Sequence, residues 1–333
     1  MRLPMRFAML TLISLLAWSG LPALARAQGM GGMQSMPSFG SLATPSGAMM
    51  GSQQAQAPPD PPLAIKDTYV SFIDSAVPRN LFGLRFEGAF QNRQPMRAEY
   101  YHPKGGPGAT GFPFVETRID YQEFTSYAEY SVTPWFSMFM EAPYRMLNPE
   151  INRNENGASD MRYGMKVCTW SSEDVIATFL LRLYQPTAVR ESLGTSHWSI
   201  EPGILASYRI HPMIHLEGEV RYWYPLGGSD FAGEVLRYGV GVSYGRKTFG
   251  GRVWYAPVVE GIGWTVMSGK TMTATSPDSY VIEDAQGQTI VNGYLGMRFG
   301  YGPHLDFYAG YGRSFTGHFW QRDIYRFEIR YSY

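Results

Sequence analysis

Trp320-Gln321-Arg322-Asp323-Ile324-Tyr325-Arg326-Phe327-Glu328-Ile329-Arg330-Tyr331-Ser332-Tyr333 is the last stretch of the chain, and its alternation decides the fold. Tyr325, Phe327, Ile329, Tyr331 and Tyr333 share one parity. Arg322, Arg326, Glu328, Arg330 and Ser332 share the other. Side chains on a strand alternate between its two faces. The stretch therefore predicts a strand with one aromatic, apolar face and one charged face.

Upstream, the same pattern recurs in eleven further segments, starting at Leu81. In the first, Leu81 to Gln91, Phe82, Leu84, Phe86 and Phe90 oppose Arg85 and Glu87. In the third, Trp135 to Met146, Phe136, Met138 and Met140 oppose Glu141 and Arg145. The fourth sets Arg162 and Lys166 on the polar parity, the fifth Arg182 and the sixth Glu201. The seventh, Met213 to Leu226, alternates most cleanly, with Glu217, Glu219 and Arg221 opposite Leu216, Val220 and Tyr222. The ninth is expected to end at Val258, and the tenth, Thr289 to Phe299, places Arg298 on the polar side.

The connectors alternate as well. Thr133-Pro134, Ser171 to Glu173, His211-Pro212, Gly245 to Lys247 and Gly300 to Pro303 are tight, and the connectors between them are long, the longest being Val259 to Gln288. Tight turns at one end and long loops at the other are expected of an outer-membrane barrel. The expected fold is all-β: a transmembrane, antiparallel, up-and-down barrel of about 12 strands. A secreted β-sandwich is the rival, but its polar face would meet water, whereas this polar parity mixes acids, arginines, Tyr127, Trp223 and Trp254 as a narrow lumen would. The composition agrees: 8 Trp, 23 Tyr and 19 Phe stand in a chain of zero formal charge and slightly negative mean hydropathy. Such a balance carries no nucleic-acid footprint.

The N-terminus reads as a signal peptide over 1–27, with Arg2 and Arg6 before an apolar core and Ala25-Arg26-Ala27 as the cleavage site. Residues 28–78 form a Gly-, Met- and Pro-rich periplasmic leader, and the barrel occupies 79–333. Within the leader, Tyr69, Phe72 and Ile73 stand at i, i+3 and i+4. One or two turns of helix docked on the periplasmic mouth fit that spacing, and so does an irregular strand of leader.

Asn156-Gly157-Ala158-Ser159-Asp160, leading to Gly164 and Lys166, and Gly194-Thr195, leading to Glu201-Pro202, resemble turn and strand motifs of the exported barrel family described as the putative meta-pathway of phenol degradation. Ala158-Ser159 departs from that family's usual glycine before the aspartate. The resemblance implies a transporter barrel and says little about phenol chemistry.

The expected role is passive passage of small solutes, hydrophobic or aromatic compounds among them, through an outer membrane. The polar parity, Arg85, Glu87, Glu141, Arg162, Lys166, Arg182, Glu201, Glu217, Glu219, Arg221, Arg298, Arg322, Arg326, Glu328 and Arg330, is expected to line the lumen. Twelve strands lie between a filled eight-strand interior and a wide sixteen-strand channel, so a narrow or gated path follows. The expected partners are outer-membrane lipids, the barrel-assembly machinery through the C-terminal strand, and an unidentified solute. No catalytic set, metal or cofactor is expected. Ser196, His197 and Ser199 lie together but lack an orienting third group. A structural barrel without a pore, or a lipid-acting hydrolase, are the alternatives.

Overall fold

In the computed structural model the alternating segments are strands: β1 (Leu81–Asn92), β2 (Ile119–Thr133), β3 (Phe136–Pro149), β4 (Glu155–Ala158), β5 (Met161–Ser171), β6 (Val175–Gln185), β7 (Trp198–His211), β8 (Ile214–Leu226), β9 (Val235–Tyr244), β10 (Arg246–Thr248), β11 (Val253–Val266), β12 (Lys270–Ser276), β13 (Ser279–Asp284), β14 (Thr289–Tyr301), β15 (Leu305–Ser314) and β16 (Asp323–Ser332). The described residues are 63, 65, 68–92, 112–114, 116, 118–229, 231–248, 252–276, 279–316 and 320–333. The expected signal peptide and most of the expected leader lie outside them.

Twelve of these strands pair antiparallel into a closed wall, in the order β1, β2, β3, β5, β6, β7, β8, β9, β11, β14, β15, β16. Closure comes from β16 returning to β1, with Leu81 opposite Ser332 and Phe90 opposite Asp323. A closed wall leaves no strand edge with unpaired N–H and C=O groups. Of the remaining strands, β4 extends the ladder of β3, β10 pairs with the start of β11, and β12 and β13 form a separate two-stranded hairpin.

The ninth expected segment is too short in the sequence reading. It continues as β11 to Val266, and β14 pairs with it along its whole length. The long Val259–Gln288 connector thus begins as strand, up to Val266, and its middle is the β12–β13 hairpin. Gly261 and Gly263 interrupt the apolar parity there, which is why the alternation fades while the backbone ladder continues.

The wall is turned inside out relative to a soluble protein. Phe82, Phe124, Met138, Ile204, Leu295, Phe327 and Tyr331 are exposed on its outer face. Glu123, Glu141, Lys166, Arg182, Glu219, Arg298 and Arg330 are buried on its inner face. Buried charge is tolerated only where it is paired. The register supplies partners directly: Arg85 faces Glu328, Glu87 faces Arg326, Glu123 faces Arg145, Glu141 faces Arg162 and Arg182 faces Glu201.

Candidate functional site

The lumen is occupied by the chain's own N-terminal segment. Residues 68–80 enter from the tight-turn end, reach the middle of the barrel and return to the same end to begin β1. One leg is marked by Thr68, whose carbonyl accepts from Arg330 near the end of β16, and by Tyr69, whose ring packs edge-on to His215 and Trp254 at the starts of β8 and β11. The other leg is marked by Ala76, whose carbonyl accepts from Thr178, and by Arg79, whose amide donates to Glu129 at 3.2 Å. Ser71 to Asp74 form the apex.

No helix forms here, despite the i, i+3, i+4 spacing, because the wall takes the backbone's hydrogen bonds. The amides of Ser71, Phe72 and Ile73 all donate to the Glu260 carboxylate, at 3.3, 2.9 and 2.8 Å to Oε1. Successive amides converging on one anion form a nest. The carbonyls go to guanidinium groups. Arg298 donates to Tyr69 and Val70 at 2.8 and 2.9 Å, Arg326 donates to Ser71, and Arg237 donates to Phe72. A buried peptide group without a partner costs on the order of a lost hydrogen bond, so this segment is stable as irregular backbone only inside this particular wall.

Its side chains are fitted as well. Phe72 stacks on Tyr294 at 3.9 Å between ring centroids, and the Arg326 guanidinium covers the ring at 3.8 Å from its centroid. Val70 and Ile73 lie against Gly241, where a Cβ would stand 2.9 Å from Val70 Cγ1, and Tyr69 crosses Gly245, where a Cβ would stand 2.8 Å from the ring. These glycines leave the space the segment fills. Leu63 and Ile65 join Ala76 and Val77 in a buried apolar cluster with Phe139, Leu180 and Leu205 on the facing wall.

Asp74 closes the apex. Its Oδ2 stands 2.8 Å from Arg182 Nη2 and 2.9 Å from Arg221 Nη1, while its amide donates to Glu219 at 3.1 Å. Burial pushes this carboxyl up, but the Arg182, Arg221 and Arg237 guanidinium groups outweigh burial and hold it well below the ordinary aspartate range. Arg182 and Arg221 also reach Glu201, at 3.2 and 3.3 Å, and Tyr184 donates to the same carboxylate at 2.6 Å.

Beyond the apex, towards the long loops, a cavity of about 120 Å³ remains. Asp74, Arg182, Arg221 and Arg237 form part of its floor, and Tyr121, Tyr184, Trp223 and Trp264 stand around it. Loops narrow it from the far side. Asp160 accepts from Thr195 N at 2.7 Å, from Thr195 Oγ1 at 2.9 Å and from Ala188 N at 3.2 Å, and Ser159 donates to the Leu193 carbonyl at 2.6 Å. The two sequence motifs around Asp160 and Thr195 are thereby one clasp at the long-loop end, with Gly194 packed against the Asp160 carboxylate.

Most of the residues expected on the lumen side point inward and are joined in pairs. Arg85 meets Glu328 at 3.3 Å, Arg162 meets Glu141 at 3.0 Å, Lys166 meets Glu129 at 2.8 Å, and Arg326 meets Glu87. Arg298 bridges Asp306 and Glu328. Glu217 is buried on the inner face of β8. Lys166 does not join Arg182 and Glu201, because Glu129 on the other side takes it. Arg322 stands elsewhere: it precedes β16, is exposed at the long-loop end and donates to Gln91 at 3.2 Å. The sequence reading missed Glu260 and Asp74. Glu260 fell in the stretch taken for a loop, although Val258, Glu260, Ile262 and Trp264 hold the inward parity. Asp74 carries no signal of its own, since its partners come from two distant strands. His197 Nδ1 meets the Thr195 carbonyl at 2.8 Å rather than a carboxylate.

No known family's profile matches the sequence, and no curated protein matches it. Among solved structures, the chain is similar to the COG4313 outer membrane channel from Pseudomonas putida F1, with a TM-score of 0.48 and 10% identity over 76% of this chain and 94% of that one. It is also similar to the NanC porin, with a TM-score of 0.46 and 9% identity over 76% and 100%. A third likeness is to the beta domain of the Bordetella autotransporter BrkA, with a TM-score of 0.45 and 12% identity over 77% and 100%. A channel, a porin and an autotransporter domain share these values, so the likeness selects no role.

Proposed function

We propose that this chain is an outer-membrane barrel channel for small solutes, held closed by its own residues 68–80. The apolar outer wall fits a hydrocarbon surround, because the closed ladder leaves no free strand edge and the outward side chains are greasy. The observation that carries the channel reading is the occupied lumen. The segment inside it is held by hydrogen bonds, ion pairs and apolar packing with no strand ladder joining it to the wall, so it can leave without breaking the barrel's own ladder. The cavity beyond it is walled by both guanidinium groups and aromatic rings, which suits small aromatic or amphiphilic solutes. The C-terminal strand β16, which completes the closed wall, is the segment we assign to recognition by the assembly machinery.

Planar-bilayer recording on the refolded mature chain, beside an in-frame deletion of 68–79, tests this. The full chain is expected to open rarely and the deletion to conduct steadily. A deletion that stays folded, by its heat-modifiable migration, and still passes no current would leave a structural barrel as the reading.

A further inference from the structure

The floor of the cavity is a carboxylate site, and in this structure its occupant is Asp74. Arg182 and Arg221 come from β6 and β8 and converge on one oxygen at 2.8 and 2.9 Å. Arg237, on β9, lies beside them and lines the same cavity. Two guanidinium groups on one carboxylate oxygen form the kind of charge-assisted contact that selects anions. The arginines are nearly closed to solvent, at 7% and 4%, while Asp74 keeps 21% of its side chain accessible. A solute in the cavity meets the Asp74 carboxylate and the two arginines together, since all three line it. Tyr184 and Trp223 line the same cavity and bring aromatic surface to it.

We propose that Arg182 and Arg221 form a binding site for carboxylate-bearing solutes, that Asp74 occupies it as a tethered stand-in, and that a solute carboxylate competing for these arginines favours withdrawal of the 68–80 segment. This rests on the channel reading above. Wall charge supports it. With Asp74 withdrawn, Arg182 keeps Glu141 and Glu201, Arg221 keeps Glu201 and Glu219, and Arg237 keeps Glu219, so the floor loses the one negative charge that is not part of the wall. A ligand shifts such an equilibrium only through its differential affinity for the two states. A carboxylate has that difference, because its site is free only when Asp74 is out. A neutral molecule of the same shape does not.

The test uses the full mature chain in a planar bilayer, with benzoate and, separately, benzyl alcohol added on the long-loop side. Benzoate is expected to raise the open probability at least about fivefold at millimolar concentration, and benzyl alcohol to leave it unchanged. Asp74→Asn keeps the shape of the segment and both arginines but gives up the charge. It is expected to raise the open probability without ligand, to reduce the benzoate response, and to move the reversal potential in a KCl gradient towards chloride. The proposal is overturned if benzyl alcohol opens the channel as well as benzoate does, or if Asp74→Asn is as closed and as unselective as the parent chain. The deletion of 68–79 separates the two readings. If it conducts while benzoate and Asp74→Asn do nothing, the carboxylate site fails and the channel stands. If it is folded and silent, both fall.

Discussion

The lumen holds arginines in two kinds of position, and the difference between them separates what braces the barrel wall from what holds the segment inside it. Arg145 and Arg162 reach carboxylates on neighbouring strands, Glu123 and Glu141, in the register that the strand pairing dictates. They are struts: both partners belong to the barrel. Arg298, Arg326, Arg330 and Arg237 also donate to backbone carbonyls of residues 68–72, groups that leave if the segment leaves. Each of these four also keeps a carboxylate on the wall: Asp306 and Glu328, Glu87, Asp306, and Glu219 respectively. These four therefore keep an ion pair without the segment, whereas Glu260 would lose its three amide donors and Arg182 and Arg221 would lose Asp74.

The largest effect expected on closure is on the anchor side. Glu260→Ala removes the acceptor of three segment amides, at a cost of about 3 kcal/mol for hydrogen bonds to a charged group, or roughly 100-fold in the closed-to-open ratio. Bilayer recording reads that ratio, and the thermal midpoint of barrel unfolding is expected to change far less. The reverse pattern, a large loss of heat stability with the channel still closed, would place Glu260 among the struts.

A strut should behave oppositely. Glu123→Ala leaves Arg145 buried without its nearest carboxylate, and loss of one partner of a buried pair costs about 3–5 kcal/mol. The readout is the temperature at which folded and unfolded forms separate on unboiled gels, with open probability expected to stay at the parent level.

A smaller effect is expected from space alone. At Gly241 a Cβ would stand 2.9 Å from Val70 and 3.1 Å from Glu260 Cγ, so both must shift. Gly241→Val is expected to open the channel by several-fold, a cost on the order of 1 kcal/mol for overpacking. An unchanged open probability would mean that the segment re-seats freely.

Acid sharpens the comparison further. The Asp74 carboxyl is held below the ordinary aspartate range, so its contribution to closure is complete above that range and is lost only as pH falls through the lowered value. The closure lost in Asp74→Asn is therefore expected to stay constant from neutral pH down to the usual carboxylate range and to shrink only below it. A parent and variant that converge near pH 5 would mean that Arg182 and Arg221 do not hold the carboxyl down. The smallest effect belongs to the rim pair Arg118–Glu150, 3.6 Å apart with both side chains more than two-fifths exposed. Its removal should change stability by less than about 1 kcal/mol and leave conductance alone.

Much of this was legible in the chain. Strand parity marks its own faces: Tyr325, Phe327 and Ile329 had to face one way and Arg326, Glu328 and Arg330 the other, because a period of two leaves no choice. Connector length marked the two ends. The extension of β11 to Val266 was hidden where glycines replaced the outward apolar residues, since a strand without side-chain contrast shows no parity. The fate of residues 68–80 was not legible. Tyr69, Phe72 and Ile73 carry helical spacing, and nothing local to them announces that Glu260, 187 residues from Ile73 in sequence, takes the amides of Ser71, Phe72 and Ile73.

The amino-acid sequence by itself thus determined a twelve-strand wall, its polar interior and its two unlike ends, because strand pairing and hydrophobic alternation are short-range properties. Only the tertiary structure decided that the interior is occupied, which arginines brace the wall and which hold the segment, and that Asp74 sits between Arg182 and Arg221. Those outcomes depend on side chains from strands far apart in sequence reaching one point inside the barrel, and barrel closure is what brings them there.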